Sequence, residues 1–257
     1  MTATALITGA SSGIGAAFAR YHAAKGGDLV LVARREDALE QLKTELEAKH
    51  GIKVHVFARD VGSGEAAQAL YDEITKAGIE VGILINNAGF GGRGNHIERE
   101  LASEQAMVDL NVMSLMTLTR LFGHDMAQRG KGYVLNVGST AGFMPGPSQA
   151  VYFATKAFVN SYSQALNEEL KPKGVKVTVL APGYVETEFA KVADLEGTQL
   201  TRSGAAPESV AKIGYDAMLE GKLVAINEKA LDFSLNWVIP LLPRRAVLKM
   251  VSKMQAK

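Results

Sequence analysis

Cysteine is absent from this 257-residue chain. That excludes a disulfide framework, thiolate metal sites and a cysteine nucleophile, and it fits a reducing compartment. The five histidines (His22, His50, His55, His96 and His124) show no close i,i+4 pairing, so a zinc-binding helix is not expected and no metal is assigned. An excess of either charge is also missing. With 28 Lys and Arg against 27 Asp and Glu, the formal charge is +1, which argues against nucleic acid as a partner because phosphate binding needs a concentrated basic surface. No apolar run approaches the ~18 residues of a membrane span, and the longest candidate, Trp237 to Leu242, is broken by Pro240. The amino terminus carries no basic segment before its short apolar run and turns at once into a glycine-rich stretch, unlike a signal peptide. A soluble, cytoplasmic protein is expected.

What is present is a rhythm. Short β-branched runs at 4–8, 28–33, 52–57, 81–85, 132–137, 175–181 and 222–226 alternate with amphipathic stretches at 13–25, 36–49, 64–77, 104–129, 151–171 and 207–220. The runs are nearly continuous in apolar character, as strands covered on both faces are. Alternation sustained this long predicts an α/β fold, a doubly wound parallel sheet of about seven strands with helices on both faces. No linker, repeat or low-complexity tract divides it, so 1–257 reads as a single domain.

Two segments break the rhythm. Residues 184–206 are too long and irregular for an ordinary connection, and such loops are usually lids or binding loops. The last 36 residues hold seven basic residues against Glu228 and Asp232, a local +5. This apolar and basic tail, 227–257, could cover the core, pair with a second subunit or rest weakly on a membrane surface; packing on the core or a subunit is the plainer expectation.

The first predicted strand ends in Thr8-Gly9-Ala10-Ser11-Ser12-Gly13-Ile14-Gly15 and runs straight into a helix. Glycines at 9, 13 and 15 permit a tight turn, a close approach of main chain to pyrophosphate and close helix–strand packing, and the helix N-terminus offers unpaired N–H groups to phosphates. Glycines alone also make plain turns, but strand before and helix after is the context a dinucleotide site needs. The second strand should end near Ala33. An acidic residue there would suit the ribose of NAD; the chain has Arg34-Arg35, whose guanidinium groups suit the 2′-phosphate of NADP. NADP is therefore expected over NAD. Glu36 is the competing ribose ligand, though it fits the first turn of the next helix, where a carboxylate complements the dipole.

Tyr152 and Lys156 stand at i,i+4 on a predicted helix and so share a face. A phenol titrates near ~10, and bringing it to the neutral range takes ~3–4 kcal/mol, which a neighbouring ammonium can supply. Ser139 follows the fifth strand, at the carboxyl edge where open α/β sheets bind ligands, and its hydroxyl can donate to a carbonyl oxygen as charge develops. A Tyr and a Lys four apart are by themselves more often a half-buried aromatic beside a solvated amine. Asn111 by itself could only satisfy main-chain groups, Asn86 and Asn87 could only fix strands, and Asp60 could only cap a helix.

Together, TGASSGIG (8–15), Asp60-Val61, NNAG (86–89), Asn111, Ser139, YFATK (152–156) and Pro182-Gly183 with Thr187 resemble the short-chain dehydrogenase/reductase family, in order and spacing, over residues 4 to about 226. The resemblance implies a Rossmann fold and a carbonyl–alcohol oxidoreductase. It implies Tyr152 as general acid in reduction and base in oxidation, Lys156 tuning Tyr152 and holding the nicotinamide ribose, Ser139 polarising the carbonyl, and Asn111 anchoring a proton-relay water. For the cofactor it implies Gly9, Ser11, Ser12, Gly13, Ile14 and Gly15 at the phosphates, Asp60 and Val61 at the adenine, Asn87, Ala88 and Gly89 at the ribose, and Pro182, Gly183, Val185 and Thr187 at the nicotinamide amide. It also implies a homodimer or homotetramer built through the long helices. The expected pocket walls are Phe90-Gly-Gly, Phe143-Met144-Pro145 and the loop carrying Tyr184, Phe189 and Leu195. They are mostly apolar and point to a hydrophobic or medium-sized carbonyl or alcohol as the small-molecule substrate. Glu186, Glu188 and Lys191 could read a polar group, although charged lid residues more often face water. The rival from another class is a catalytically silent Rossmann-fold protein that binds the cofactor and regulates.

Overall fold

A computed structural model describes residues 2–201 and 203–257; Met1, and Arg202 within the expected lid, lie outside the described residues. Seven strands, β1 (Thr2–Thr8), β2 (Gly27–Ala33), β3 (Val54–Ala58), β4 (Val81–Asn86), β5 (Gly132–Val137), β6 (Val175–Leu180) and β7 (Val224–Ala225), form one parallel sheet in the order β3-β2-β1-β4-β5-β6-β7. The near-continuous apolar character of the strands has a simple cause. Ala5 and Ile7 of β1, Leu29 and Leu31 of β2, and Ile83 and Ile85 of β4 point into one core, while Leu6, Val30, Val32 and Leu84 between them point into the other. Alternate side chains face opposite ways and both faces are covered.

Helices α1 (Gly13–Ala23) and α2 (Glu36–His50) close the first face together with α8 (Pro207–Glu220), through Phe18, Leu39, Leu46 and Tyr215. The second face is closed by α3 (Gly64–Lys76), α5 (Leu115–Gln128) and α6 (Ala150–Leu170), through Leu70, Ile74, Phe122 and Leu170. The strand order reverses direction between β1 and β4, and ligands bind in open α/β sheets at the carboxyl ends beside such a switch point.

Three segments differ from the periodicity. The single helix expected over 104–129 is α4 (Leu101–Val108), a π-turn over Asp109–Ser114, and α5. One wider turn leaves the apolar spacing almost unchanged, so hydrophobic pattern does not reveal it, yet it brings the Asn111 side chain to the main chain of Phe90. The expected lid, 184–206, is partly ordered: it holds the short α7 (Phe189–Val192) and a 3₁₀ turn at Gln199–Thr201. Its Asp194 is gripped by Arg93 at 3.0 Å and Lys257 at 2.5 Å, which ties the lid to the segment after β4 and to the last residue.

The tail packs on the core. It forms α9 (Lys229–Phe233), a π-turn at Ser234–Val238 and α10 (Arg244–Gln255). Val247 and Val251 of α10, with Leu235 and Ile239, join Tyr152 and Phe153 in a third apolar cluster. Among the described residues no helix is long and apolar enough to cross a membrane.

Candidate active site

The carboxyl ends of the strands open onto one cavity of about 1090 Å³ that runs from Arg34 and Asp60 at one end to Val251 and Gln255 at the other. Every expected nucleotide-site residue except Gly15 lines it, as do Ser139, Tyr152 and Lys156. Gly15 lies behind the wall: a Cβ there would sit 2.2 Å from the Gly9 carbonyl oxygen, so only glycine lets α1 press against the turn. Gly13 has φ +54°, and a Cβ there would stand 3.0 Å from Thr187 Cγ2, so a side chain would fill the groove between turn and lid. Asn87 pins the turn by donating from Nδ2 to the carbonyls of Thr8 and Gly9 at 3.0 and 3.3 Å, and Thr8 Oγ1 accepts from the N–H groups of Asn87 and Ala88. A groove floored by main chain, starting at a helix N-terminus and rimmed by two guanidinium groups, fits a phosphorylated dinucleotide.

Around the catalytic candidates, α6 brings Tyr152 and Lys156 to the floor, both buried, and Ser139 follows β5 directly. Ser139 Oγ accepts from Ala141 N at 3.1 Å, which orients the hydroxyl at the start of a 3₁₀ turn. Lys156 Nζ donates to the Val137 carbonyl at 2.7 Å and stands 5.9 Å from the Tyr152 ring centre. Burial pushes the Tyr152 phenol up to about 12, the hydrogen bond from Ser139 opposing it, and burial pushes the Lys156 ammonium down to about 8. Desolvation is the largest influence on the phenol here, and Lys156 gives one of its three N–H donors to a main-chain carbonyl, leaving two for other partners.

Asn111 does not line the cavity. Its Nδ2 donates to the Phe90 carbonyl at 2.9 Å and to Thr155 Oγ1 at 3.1 Å, and its Oδ1 accepts from Phe90 N at 3.1 Å. It thereby fixes the segment after NNAG against α6. Asn86 serves the buried lattice between strands, donating to Thr119 and Asn136 at 2.9 Å each. Asp60 accepts from Gly62 N at 3.0 Å, while Ser63 rather than Asp60 caps α3. Glu36 begins α2 and does not line the cavity, as its dipole-complementing role requires.

Two expectations about the walls change. Phe143 packs in an apolar cluster behind the cavity, and Gly91, Gly92 and Pro145 do not line it either, while Phe90, Met144, Tyr184, Phe189 and Leu195 do. Glu188 does not simply face water: it accepts from Ser12 Oγ at 3.1 Å and pairs with Arg35 at 3.1 Å, over the phosphate turn. Sequence reasoning also missed Gln149, Glu228 and Gln255, which line the cavity. Glutamines in amphipathic stretches carry no signal of their own, and only the docking of α10 brings Gln255 to this site.

The fold and site define a Rossmann-type oxidoreductase. The chain belongs to the short chain dehydrogenase family, whose sequence pattern matches residues 3–196. It is 30% identical to a very-long-chain 3-oxoacyl-CoA reductase of Anas platyrhynchos over 257 residues, covering 98% of this chain and 79% of that one. It is 39% identical over 194 residues to sulfoacetaldehyde reductase 2 of Chromohalobacter salexigens, covering 75% and 76% of the two chains. Among solved structures, a short-chain dehydrogenase from Sphingobium yanoikuyae in complex with NADPH superposes with a TM-score of 0.82 at 31% identity, covering 94% of this chain and 96% of that one.

Proposed function

We propose that this protein is an NADP(H)-dependent oxidoreductase that interconverts a carbonyl and an alcohol on a hydrophobic or medium-sized substrate, with Tyr152 as general acid and base. The observation that carries the reading is the meeting of Ser139, Tyr152 and Lys156, from separate stretches of chain, on the floor of one cavity whose far end is rimmed by Arg34 and Arg35. When bound, the nicotinamide supplies or takes the hydride. Residues of the turn at 9–14, Asp60, Val61, Asn87 to Gly89 and the 182–187 stretch would hold the dinucleotide, with Arg34 and Arg35 on its 2′-phosphate.

In reduction, the Ser139 hydroxyl donates to the carbonyl oxygen as negative charge grows there, and the Tyr152 phenol delivers its proton to that oxygen. A phenol held near 12 is fully protonated at neutral pH, which suits the acid role. In oxidation the same oxygen must take the alcohol proton, and a charged Lys156 nearby eases the loss of the phenol's own proton. Asn111, by clamping Phe90 to α6, holds the wall beside this exchange, and a relay water would meet its remaining acceptor site.

The apolar lining supports a hydrophobic substrate, in keeping with the relative that reduces very-long-chain 3-oxoacyl-CoA. A sulfonate such as that of the sulfoacetaldehyde relative would need a cation, and among the described residues the lining supplied by 189–203 and by α10 is uncharged. Met113 and Phe158 stand exposed on the helical outer faces, supporting association as a homodimer or homotetramer. The test is a panel of ketones and aldehydes with NADPH and with NADH, followed by cofactor absorbance. Turnover of apolar carbonyls with NADPH preferred is expected. Tight NADPH binding with no turnover anywhere on the panel would favour the silent regulatory protein.

A further inference from the structure

α10 buries one stripe, Val247, Val251 and Gln255, at i, i+4 and i+8. The first two are apolar, as the cluster around Tyr152 and Phe153 demands. The third is an amide, 1% exposed, in a position where a leucine or methionine would complete the packing. It meets a second buried amide: Gln149 Nε2 donates to Gln255 Oε1 at 2.8 Å. Gln149 is 3% exposed and is the N-cap residue of α6, one turn ahead of Tyr152. Ser148 just before it stands at φ 67°, a left-handed conformation serine rarely adopts, and its carbonyl accepts from Gly94 N at 2.8 Å. That bend places Gln149 at the mouth of α6.

The pair is only half satisfied. Gln149 Oε1 and Gln255 Nε2 are buried and have no hydrogen-bond partner, although both residues line the cavity. Turning both amides over exchanges the two roles but leaves the same remainder, because two amides joined by a single N–H···O bond always keep one free acceptor and one free donor. Buried polar groups without partners are costly and uncommon, so a pair of them beside a ligand cavity marks a place where a ligand completes the bonding. The surrounding lining contributed by the described residues of α10 and 189–203 is uncharged.

We infer that Gln149 and Gln255 form a polar subsite at the substrate end of the cavity. It selects carbonyl substrates that carry, away from the reacting carbonyl, a neutral group with both a donor and an acceptor, a carboxamide being the best match. This inference rests on the carbonyl–alcohol reading for what lies at the other end of the substrate. A carboxylate lacks the donor and finds no cation among the described lining residues of α10 and 189–203; a bare hydrocarbon leaves both amides unsatisfied.

The test uses methyl ketones of graded chain length, each ending in a carboxamide, a carboxylate or a methyl group, with the full-length protein and NADPH. The carboxamide ketone is expected to exceed the methyl-terminated one in kcat/KM by about tenfold or more at one chain length. In Gln255→Met, a substitution of similar size, that preference should vanish, the ratio of kcat/KM for the carboxamide and methyl-terminated ketones falling to about one. Gln149→Met should act in the same direction. No carboxamide preference at any length overturns the inference, and so does a preference that survives Gln255→Met. A rise in thermal stability of Gln255→Met without change in selectivity gives the pair a packing role alone and overturns it too. Calorimetric binding of the matching carboxamide and methyl-terminated alcohols to the NADP-loaded protein, repeated with Tyr152→Phe, separates the two readings. Selective binding without turnover in the unsubstituted protein sinks the catalytic reading and keeps the subsite; turnover without selectivity does the reverse.

Discussion

Arg35 and Glu188, 153 residues apart in the chain, meet at 3.1 Å across the mouth of the dinucleotide groove. The carboxylate's pKa is lowered by the hydrogen bonds from Arg35 and Ser12. It thus holds the guanidinium that a 2′-phosphate would use and also the hydroxyl of the phosphate turn. An exposed pair of this kind is worth little in stability, on the order of 0–1 kcal/mol, but it competes with an anionic ligand for the same cation. Glu188→Gln is expected to tighten NADPH binding about two- to fivefold at low salt and to leave NADH nearly unchanged, measured by fluorescence titration. Weaker NADPH binding in that variant would show that Glu188 helps hold the cofactor.

Removing the cations should act oppositely. Arg34→Ala with Arg35→Ala is expected to weaken NADPH binding by roughly 10- to 100-fold, as loss of a charge-assisted contact does, and NADH by far less. Equal losses for both cofactors would remove the 2′-phosphate from this rim.

Tyr152→Phe deletes only the hydroxyl. A fall in kcat of about 10²–10⁴ is expected, with the NADPH dissociation constant within about twofold of the unsubstituted protein. Stopped-flow measurement of a single turnover checks the first, and equilibrium titration the second. Undiminished turnover would take the proton from another group.

Away from the cavity, His22 of α1 is fully buried, with Nδ1 2.7 Å from the hydroxyl of Tyr215 on α8 and Nε2 3.1 Å from the Asp28 carbonyl. Burial depresses its pKa from 6.5 to about 4. The folded value lies below the unfolded one, so the unfolded chain binds the proton more readily at intermediate pH. Stability is then full above pH ~6.5 and falls as the pH drops toward ~4, by up to ~3 kcal/mol from this group. Urea unfolding at neutral pH and near pH ~4.5 should show the loss, and His22→Gln should flatten that part of the profile. An unchanged slope in His22→Gln would assign the acid sensitivity to other groups.

The sheet was legible because its strands are covered on both faces: a run such as Leu29 to Val32 has no polar side to confuse its reading. Helix spacing placed Tyr152 and Lys156 on one face, and the turn from Gly9 to Gly15 declared itself by its position between strand and helix. What stayed hidden depends on contacts between distant segments. The π-turn at Asn111 leaves the apolar period intact, Glu188 finds Arg35 only when the lid folds back, and Gln255 meets Gln149 only because α10 docks on α6. The anchoring of Lys156 was hidden for a related reason, since i,i+4 spacing says that Lys156 is near Tyr152 but not that one of its N–H groups bonds the Val137 carbonyl.

The tail helix supplies a wall that lies outside the family's shared sequence pattern. The family's sequence pattern ends at residue 196, whereas Val251, Met254 and Gln255 line the far end of the cavity. Two cousins can therefore share nearly all of their recognisable sequence and still differ in diet. Swapping some thirty C-terminal residues between them would change that wall, provided the residues packed against Tyr152 and Phe153 are kept.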